Sequence, residues 1–94
     1  MKTTTNSSVS SILLQRKSNY GDFSTQSLLA QALKDVIRSH PNYLSLSPDI
    51  KESLEMILHK ISRIVNGSPT YKDSWDDICG YATLISSTLP STND

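Results

Sequence analysis

The helical spacing of apolar residues between Leu54 and Leu84 constrains the fold of this 94-residue chain more than any other feature. Apolar positions recur there every three or four residues, which is the period of an amphipathic α-helix. The run Asn66-Gly67-Ser68-Pro69 interrupts this pattern and is typical of a turn. We therefore expect two consecutive helices joined by a sharp turn.

The N-terminal half predicts two further helices. A short one should run from Ser8 to about Lys17, and the turn-forming run Asn19-Tyr20-Gly21-Asp22 should end it. A second should start after Asp22 or Ser24 and stop at His40, because the residue before a proline avoids the helical region. Its apolar stripe comprises Leu28, Leu29, Ala32, Leu33, Val36 and Ile37.

Start and stop signals frame the last two helices. Ser47-Pro48 is a strong start for the third, and Asn66-Gly67 should close it in a left-handed cap. Asp73 or Ser74 should cap the fourth, with Trp75 as a core anchor. The third stripe comprises Ile50, Leu54, Ile57, Leu58, Ile61, Ile64 and Val65, and the fourth comprises Ile78, Cys79, Ala82, Leu84, Ile85 and Leu89.

These patterns predict an all-α protein, a compact bundle of about four helices. Residues 8–89 should form one helical domain between a flexible N-terminus at 1–7 and a flexible C-terminus at 90–94. No alternating pattern of the kind that strands require competes with the helical one.

Composition narrows the function classes. Nine basic and nine acidic residues balance, so we expect no broad basic field for duplex DNA. Cys79 is the only cysteine, which excludes a disulfide framework and a Cys-x-x-Cys metal pair within the chain, and we expect it to be buried. His59 has no second histidine or cysteine near it in the sequence and predicts no metal site. No apolar run is long enough for a membrane span, and the N-terminus lacks a signal-peptide core, so we expect a soluble intracellular protein.

Polar side chains gather at the turn before the fourth helix. The exposed N–H groups of a helix start can bind a phosphate, but they also need capping by the same kinds of residue. The residues that leave both interpretations open are Asn66, Ser68, Tyr71, Lys72, Asp73, Ser74 and Asp76.

Five short motifs occur in a fixed order along the chain. Arg16 precedes Tyr20-Gly21-Asp22-Phe23, and downstream come Lys60-x-x-Arg63-Ile64, Asn66-Gly67-x-Pro69, Asp73-x-Trp75-x-Asp77 and Gly80-Tyr81-Ala82. Over about residues 9–89 this arrangement resembles the phage anti-CBASS family, whose members act as sponges for cyclic oligonucleotides. The downstream half also resembles broader phage helical families linked to nucleotide metabolism.

The resemblance implies a non-enzymatic protein without cofactors that sequesters cyclic oligonucleotides in the cytoplasm of the infected bacterial host. It implies a symmetric homo-oligomer, a hexamer, whose pockets lie between protomers. Cyclic dinucleotides such as 3′,3′-cGAMP should contact Tyr20 and Lys34, because a tyrosine ring stacks on a base and a lysine binds a phosphodiester. Cyclic trinucleotides should occupy a separate pocket at other protomer contacts, formed by Asn66, Gly67, Ser68, Pro69 and Lys72.

An enzyme is the rival prediction. All-α nucleotide pyrophosphatases bind Mg²⁺ with carboxylates from adjacent helices, and Glu52, Glu55, Asp73, Asp76 and Asp77 could supply such a set. The same acids lie in the early turns of their helices, where the helix dipole favours negative charge. A third possibility, a helical adaptor for a host protein, has no specific residue behind it.

Overall fold

The described part of the computed structural model, residues 4–91, contains helices and no strand. The elements in chain order are α1 (Thr4–Tyr20), α2 (Phe23–Arg38), a 3₁₀ helix (Tyr43–Ser45), α3 (Pro48–Asn66) and α4 (Lys72–Ser86). The all-α prediction with four helices is therefore confirmed.

Three boundaries of the first two helices differ from the sequence prediction. α1 begins at Thr4 rather than Ser8 and continues to Tyr20, so residues 4–7 of the predicted flexible N-terminus belong to it. Residues 1–3 of that segment, and residues 92–94 of the predicted flexible C-terminus, lie outside the described residues. α2 ends at Arg38, two residues before the predicted stop.

Local capping explains where the middle helices start. The Asp22 carboxylate accepts the backbone N–H of Thr25 at 3.3 Å and the Ser24 hydroxyl at 2.6 Å, so it caps α2 as the sequence predicted. α3 starts at Pro48 after Ser47, also as predicted. The Ser47 hydroxyl, however, donates to the Asp49 carboxylate at 2.5 Å instead of capping the helix.

The predicted cap of α4 is wrong. The helix begins at Lys72, with Tyr71 in the cap position, because the backbone N–H of Ser74 already donates to the Tyr71 carbonyl at 3.2 Å. The Asp73 carboxylate accepts the Tyr71 hydroxyl at 3.1 Å, and Ser74 is buried. Neither side chain is placed to cap the helix that contains it.

α3 is the central element and packs against α2 and α4, whereas α1 contacts α2 and α3 much less extensively. The principal extents are 62 × 27 × 25 Å. The radius of gyration of 16.9 Å exceeds the value of about 12 Å that is usual for a globular domain of this length. α1 in particular lacks a neighbour within the chain over much of its length, and its residues 8–18 are exposed.

The core of the single chain is thin. Ala30 is the only buried apolar residue among those described, and the other buried residues are polar: Gln26, Ser53, Ser62 and Ser74. The Gln26 amide donates to the Ser62 hydroxyl at 2.7 Å, which in turn donates to the His59 carbonyl at 2.6 Å, so these buried groups are satisfied. The hydrogen bond between Gln26 and Ser62 is thus one of the contacts that join α2 to α3.

Many residues of the predicted apolar stripes are exposed. They include Leu28, Val36, Leu54, Val65, Leu84 and Leu89, and Val9, Ile12 and Leu13 of α1 are exposed as well. The predictions that Trp75 is a core anchor and that Cys79 is buried are wrong for the single chain, since Trp75 is 52% exposed and Cys79 is exposed. The less exposed positions of α4 recur at Ser74, Ile78, Tyr81 and Ile85, so the helix is rotated to place Trp75 and Cys79 beside its contact face.

Candidate functional site

Two interlocked turns organise one end of the molecule. The α1–α2 turn contains Gly21, at φ 81°, and a Cβ there would lie 2.2 Å from the Asn66 carbonyl oxygen. The α3–α4 turn contains Gly67, where a Cβ would lie 2.3 Å from the Asn19 carbonyl oxygen. The backbone N–H of Ser68 donates to that same oxygen at 2.8 Å. Each turn therefore requires a glycine to let the other approach.

The predicted left-handed cap at Gly67 is wrong. Its backbone has φ −122° and ψ −130°, and the close approach of residues 19–20 explains the glycine instead. The Asn66 side-chain amide donates to the carbonyls of Tyr20 at 3.0 Å and Asp22 at 3.1 Å. Asn66 and Gly67, two of the residues predicted to bind a cyclic trinucleotide, thus contact the turn that contains Tyr20.

The other three residues of the predicted trinucleotide set lie at the surface of the same region. The Ser68 hydroxyl is 3.4 Å from that of Thr70, and the Pro69 carbonyl accepts the Trp75 indole N–H at 2.9 Å. Lys72 is exposed, and its hydrogen bond to Asp76 at 2.7 Å raises the pKa of the lysine. These three residues are accessible, but the Ser68 and Lys72 side chains and the Pro69 carbonyl each have a partner within the chain.

A cavity of about 520 Å³ opens beside the interlocked turns. This volume is within the range of small-molecule sites. The C-terminal end of α1, the following turn, the start of α2 and one residue of α3 surround it. The lining residues are Leu13, Arg16, Lys17, Tyr20, Gly21, Asp22, Phe23, Gln26 and Arg63. Three cationic side chains and two aromatic rings therefore share one cavity with a single acid.

Arg63 gives the cavity its electrostatic character. Its guanidinium carbon lies 4.2 Å from the centroid of the Tyr20 ring, which is cation–π geometry. Its Nε is buried and has no hydrogen-bond partner. The Asp22 carboxylate is held by Ser24 and Thr25, whose hydrogen bonds lower its pKa. The one acid of the cavity is thus engaged in capping α2, and the positive charge of Arg63 is not neutralised by it.

Tyr20 is held from two sides. Arg63 covers one face of its ring, and the Tyr71 ring meets it edge-to-face, with centroids 5.8 Å apart and planes at 74°. Tyr20 thus lines the cavity, as a ligand-binding residue would, with part of its surface already used by packing.

Lys34 does not line the cavity that contains Tyr20. It lies eleven positions after Phe23 in α2, which is about 16 Å along the helix axis. Its charge helps to lower the pKa of Glu55 and of His59 on α3. Within one protomer the two residues predicted for the cyclic dinucleotide are therefore apart, and the role of Lys34 stays a prediction about a pocket between protomers.

A charged cluster occupies the opposite end of α2. The Glu55 carboxylate accepts Arg38 Nη2 at 2.5 Å and Arg38 Nε at 3.1 Å, and it also accepts the Tyr43 hydroxyl. The hydrogen bonds from Arg38 and Tyr43 hold the pKa of Glu55 below its usual value. This cluster ties the 3₁₀ helix to α2 and α3.

Most acids of the rival enzyme prediction are engaged in a similar way. Asp76 pairs with Lys72 at 2.7 Å, Asp77 pairs with Lys60 at 2.9 Å, and Asp73 accepts the Tyr71 hydroxyl. Among residues 4–91, no three side chains of the His, Cys, Asp or Glu type come together as a metal site would require.

One family model matches almost the whole chain. Residues 5–88, about nine-tenths of the chain, match the model of DUF6378, described as a domain of unknown function. The chain belongs to the DUF6378 family. Comparisons of this DUF6378 chain with curated proteins and with solved structures gave no match. Within the described range of the DUF6378 chain, no helix has the length and apolarity needed to cross a membrane.

Sequence reasoning missed four side chains of the cavity in this DUF6378 protein: Arg16, Lys17, Phe23 and Arg63. Arg16 and Phe23 belong to the upstream motif, and Arg63 belongs to the Lys-x-x-Arg-Ile motif. The motifs signalled that these residues matter, but their convergence depends on how the end of α1 packs against α3. That packing is not visible in local spacing.

Proposed function

We propose that this DUF6378 protein binds and sequesters cyclic oligonucleotide second messengers without cleaving them. The observation that supports the proposal is the cavity beside Tyr20, which combines aromatic rings with cationic side chains, among them an Arg63 whose buried Nε has no hydrogen-bond partner among the described residues. A cyclic oligonucleotide has flat bases that can stack on the aromatic rings and phosphodiesters that can bind the cationic side chains. The residues of the upstream motif, Arg16 and Tyr20 to Phe23, all line this cavity.

The activity is stoichiometric. Sequestration lowers the free concentration of the messenger below the threshold of the host CBASS effector. This activity requires high affinity and many binding sites, and it requires no catalytic turnover. The protein acts in the cytoplasm of the infected bacterial host, and its partners are cyclic dinucleotides, cyclic trinucleotides and further copies of itself. The balanced charge of the chain argues against duplex DNA as a ligand.

Assembly completes the sites in this proposal. The apolar side chains exposed on all four helices favour a homo-oligomer, since burying them is the usual way to stabilise a short chain with a thin core. The family resemblance suggests a hexamer. In it, Tyr20 of one protomer and Lys34 of a neighbour would contact the same cyclic dinucleotide. Multi-angle light scattering should give a mass above that of a dimer, and a monomer at micromolar concentration would contradict this geometry.

The second pocket, for cyclic trinucleotides, draws on the α3–α4 turn and Lys72. Sequence analysis treated it as remote from Tyr20, but the two turns interlock, so a bulky residue at Gly67 would also displace Tyr20. Separate sites are better tested on the wild-type protein. Saturation with a cyclic trinucleotide should leave the affinity for 3′,3′-cGAMP unchanged, whereas mutual competition would show one shared site.

Recovery of the ligand separates a sponge from an enzyme. The protein is incubated with 3′,3′-cGAMP and Mg²⁺ and then denatured, and the nucleotide is quantified by mass spectrometry beside a protein-free control. We expect the ligand to bind to the protein in stoichiometric amount before denaturation and to be recovered intact afterwards. Linear products would show an enzyme that hydrolyses a phosphodiester and would contradict the sponge. The alternative, a Mg²⁺-dependent all-α nucleotide pyrophosphatase, hydrolyses a phosphoanhydride instead, and release of pyrophosphate from ATP in the same assay would support it. No arrangement of acids in residues 4–91 specifically favours that alternative.

A further inference from the structure

We propose that Arg63 binds a phosphate of the nucleotide and that Phe23 stacks on one of its bases, both within the cavity beside Tyr20. The identity of the ligand as a cyclic nucleotide rests on the function proposed above. The two contacts rest on the geometry of the cavity and would serve any nucleoside phosphate.

The unsatisfied guanidinium of Arg63 points to an anion. Its Nε is buried without a partner, and the described residues give its side chain neither a hydrogen bond nor an ion pair. By comparison, Lys60, whose side chain is 12% exposed, pairs with Asp77 at 2.9 Å, and Arg38 pairs with Glu55 at 2.5 Å. A buried N–H of a charged group without a hydrogen-bond partner or an opposite charge beside it is unfavourable. A phosphate entering the cavity would supply that charge, and the planar fork of an arginine matches it.

The stacking surface follows from how Tyr20 is packed. Arg63 lies over one face of the Tyr20 ring, and the Tyr71 ring makes a T-shaped contact with it. A base cannot use the face under Arg63 unless Arg63 moves. Phe23, the first residue of α2, lines the same cavity and is 76% exposed. An exposed aromatic ring beside unpaired cations is a suitable platform for a base. Phe23 therefore offers the more accessible ring.

Arg16 and Lys17 complete the electrostatic arrangement. Both line the cavity and both are exposed on the last turns of α1. Exposed cations at the mouth of a cavity raise the association rate of an anion and make it dependent on salt. Their contribution should thus be smaller than that of Arg63 at physiological ionic strength, where exposed charges are screened.

The test is calorimetric titration of the full chain with 3′,3′-cGAMP, GMP and ATP. Arg63→Met should weaken binding at least tenfold, because a charge-assisted hydrogen bond is lost. It should also reduce the slope of log affinity against log salt, because one contact between opposite charges, which salt screens, is lost. Phe23→Leu should weaken binding by roughly tenfold, as expected for loss of one stacked base, and Phe23→Trp should retain it.

The matched control is Lys51→Met. Lys51 also lies over a tyrosine ring, with its Nζ 5.4 Å from the centroid of Tyr43, but it is outside the cavity. This variant should bind like the wild type with an unchanged salt slope. Since Arg63→Met also removes a packing contact with Tyr20, Arg16→Gln at an exposed position provides a second variant that should lower the salt slope without loss of the melting temperature.

The outcomes separate the two proposals. Binding of 3′,3′-cGAMP that is unaffected by Arg63→Met and Phe23→Leu would overturn the contacts proposed here and leave the sponge function standing. Binding of GMP or ATP that depends on both residues, without binding of the cyclic ligand, would support the contacts and overturn the sponge function. Failure of the wild type to bind any of the three nucleotides would overturn both.

Discussion

Replacing Gly67 with alanine tests the interlocked turns directly. The added Cβ would lie 2.3 Å from the Asn19 carbonyl oxygen and 2.4 Å from two backbone atoms of Tyr20. Ordinary contacts of this kind are well beyond 3 Å, so the turns must separate. Separation breaks the hydrogen bond from the Ser68 N–H to Asn19, which is 2.8 Å long, and weakens those of the Asn66 amide.

The magnitude follows from those two effects. Forcing extra volume into a packed contact costs about 1–3 kcal/mol, and the lost hydrogen bond adds about 1 kcal/mol. We expect the free energy of unfolding to fall by about 2–4 kcal/mol, with each kcal/mol lowering the melting temperature by about 4–8 °C in a domain of this size. Gly80→Ala is the matched control, because nothing lies within 4 Å of a Cβ at that position in α4. It should stabilise the helix by up to about 1 kcal/mol.

Thermal and urea unfolding, followed by circular dichroism at 222 nm, measures both variants. Protomer concentration must be held constant, since association shifts the apparent stability. The two alanine variants should change stability in opposite directions. A Gly67→Ala protein that melts at or above the wild-type temperature would show that the turns do not approach as closely as described.

Three further predictions concern the titratable groups and the ligand. His59 has its pKa lowered to about 4 by burial and by the nearby charges of Arg63 and Lys34, so the unfolded chain takes up the proton first. Stability should decline as the pH falls from about 6.5 to 4, and His59→Gln should flatten that decline in urea titrations at pH 7 and pH 5. Glu55→Gln should lower the melting temperature at pH 7 and reduce the further loss of melting temperature on acidification. The reason is that the stability from the lowered pKa of Glu55 is present above about pH 4.5 and disappears as the pH falls through the folded-state pKa. An unchanged acid profile would contradict this. Tyr20→Ala and Lys34→Ala should each weaken 3′,3′-cGAMP binding in calorimetry while the oligomer persists in light scattering, and wild-type affinity in both would refute their assignment.

Local sequence signals accounted for the helices of this chain. Asp22 and Ser47-Pro48 marked helix starts correctly because capping and the fixed backbone of proline act within a few residues. The same locality explains the failure at α4, where Asp73 and Ser74 both resemble caps. There, Tyr71 takes the cap position and uses Asp73 for its own hydroxyl.

Burial could not be read from periodicity alone. A helical stripe shows which residues share a face, but it does not show whether a second surface covers that face within the chain. Trp75 and Cys79 lie on such a face of α4 and are exposed in the protomer. Whether the rest of the chain covers such a face depends on how the helices pack, which periodicity does not contain.

The sequence by itself determined that this protein is all-α, with four helices broken at glycine- and proline-containing turns, because helix formation and termination depend on neighbouring residues. Only the tertiary structure decided that Gly67 is required for close approach rather than for a left-handed backbone. It likewise decided that Arg63 meets Tyr20 in a cavity and that Lys34 lies elsewhere. These relations join residues far apart in the chain, and they are fixed by how helices dock, which no local pattern of residues specifies.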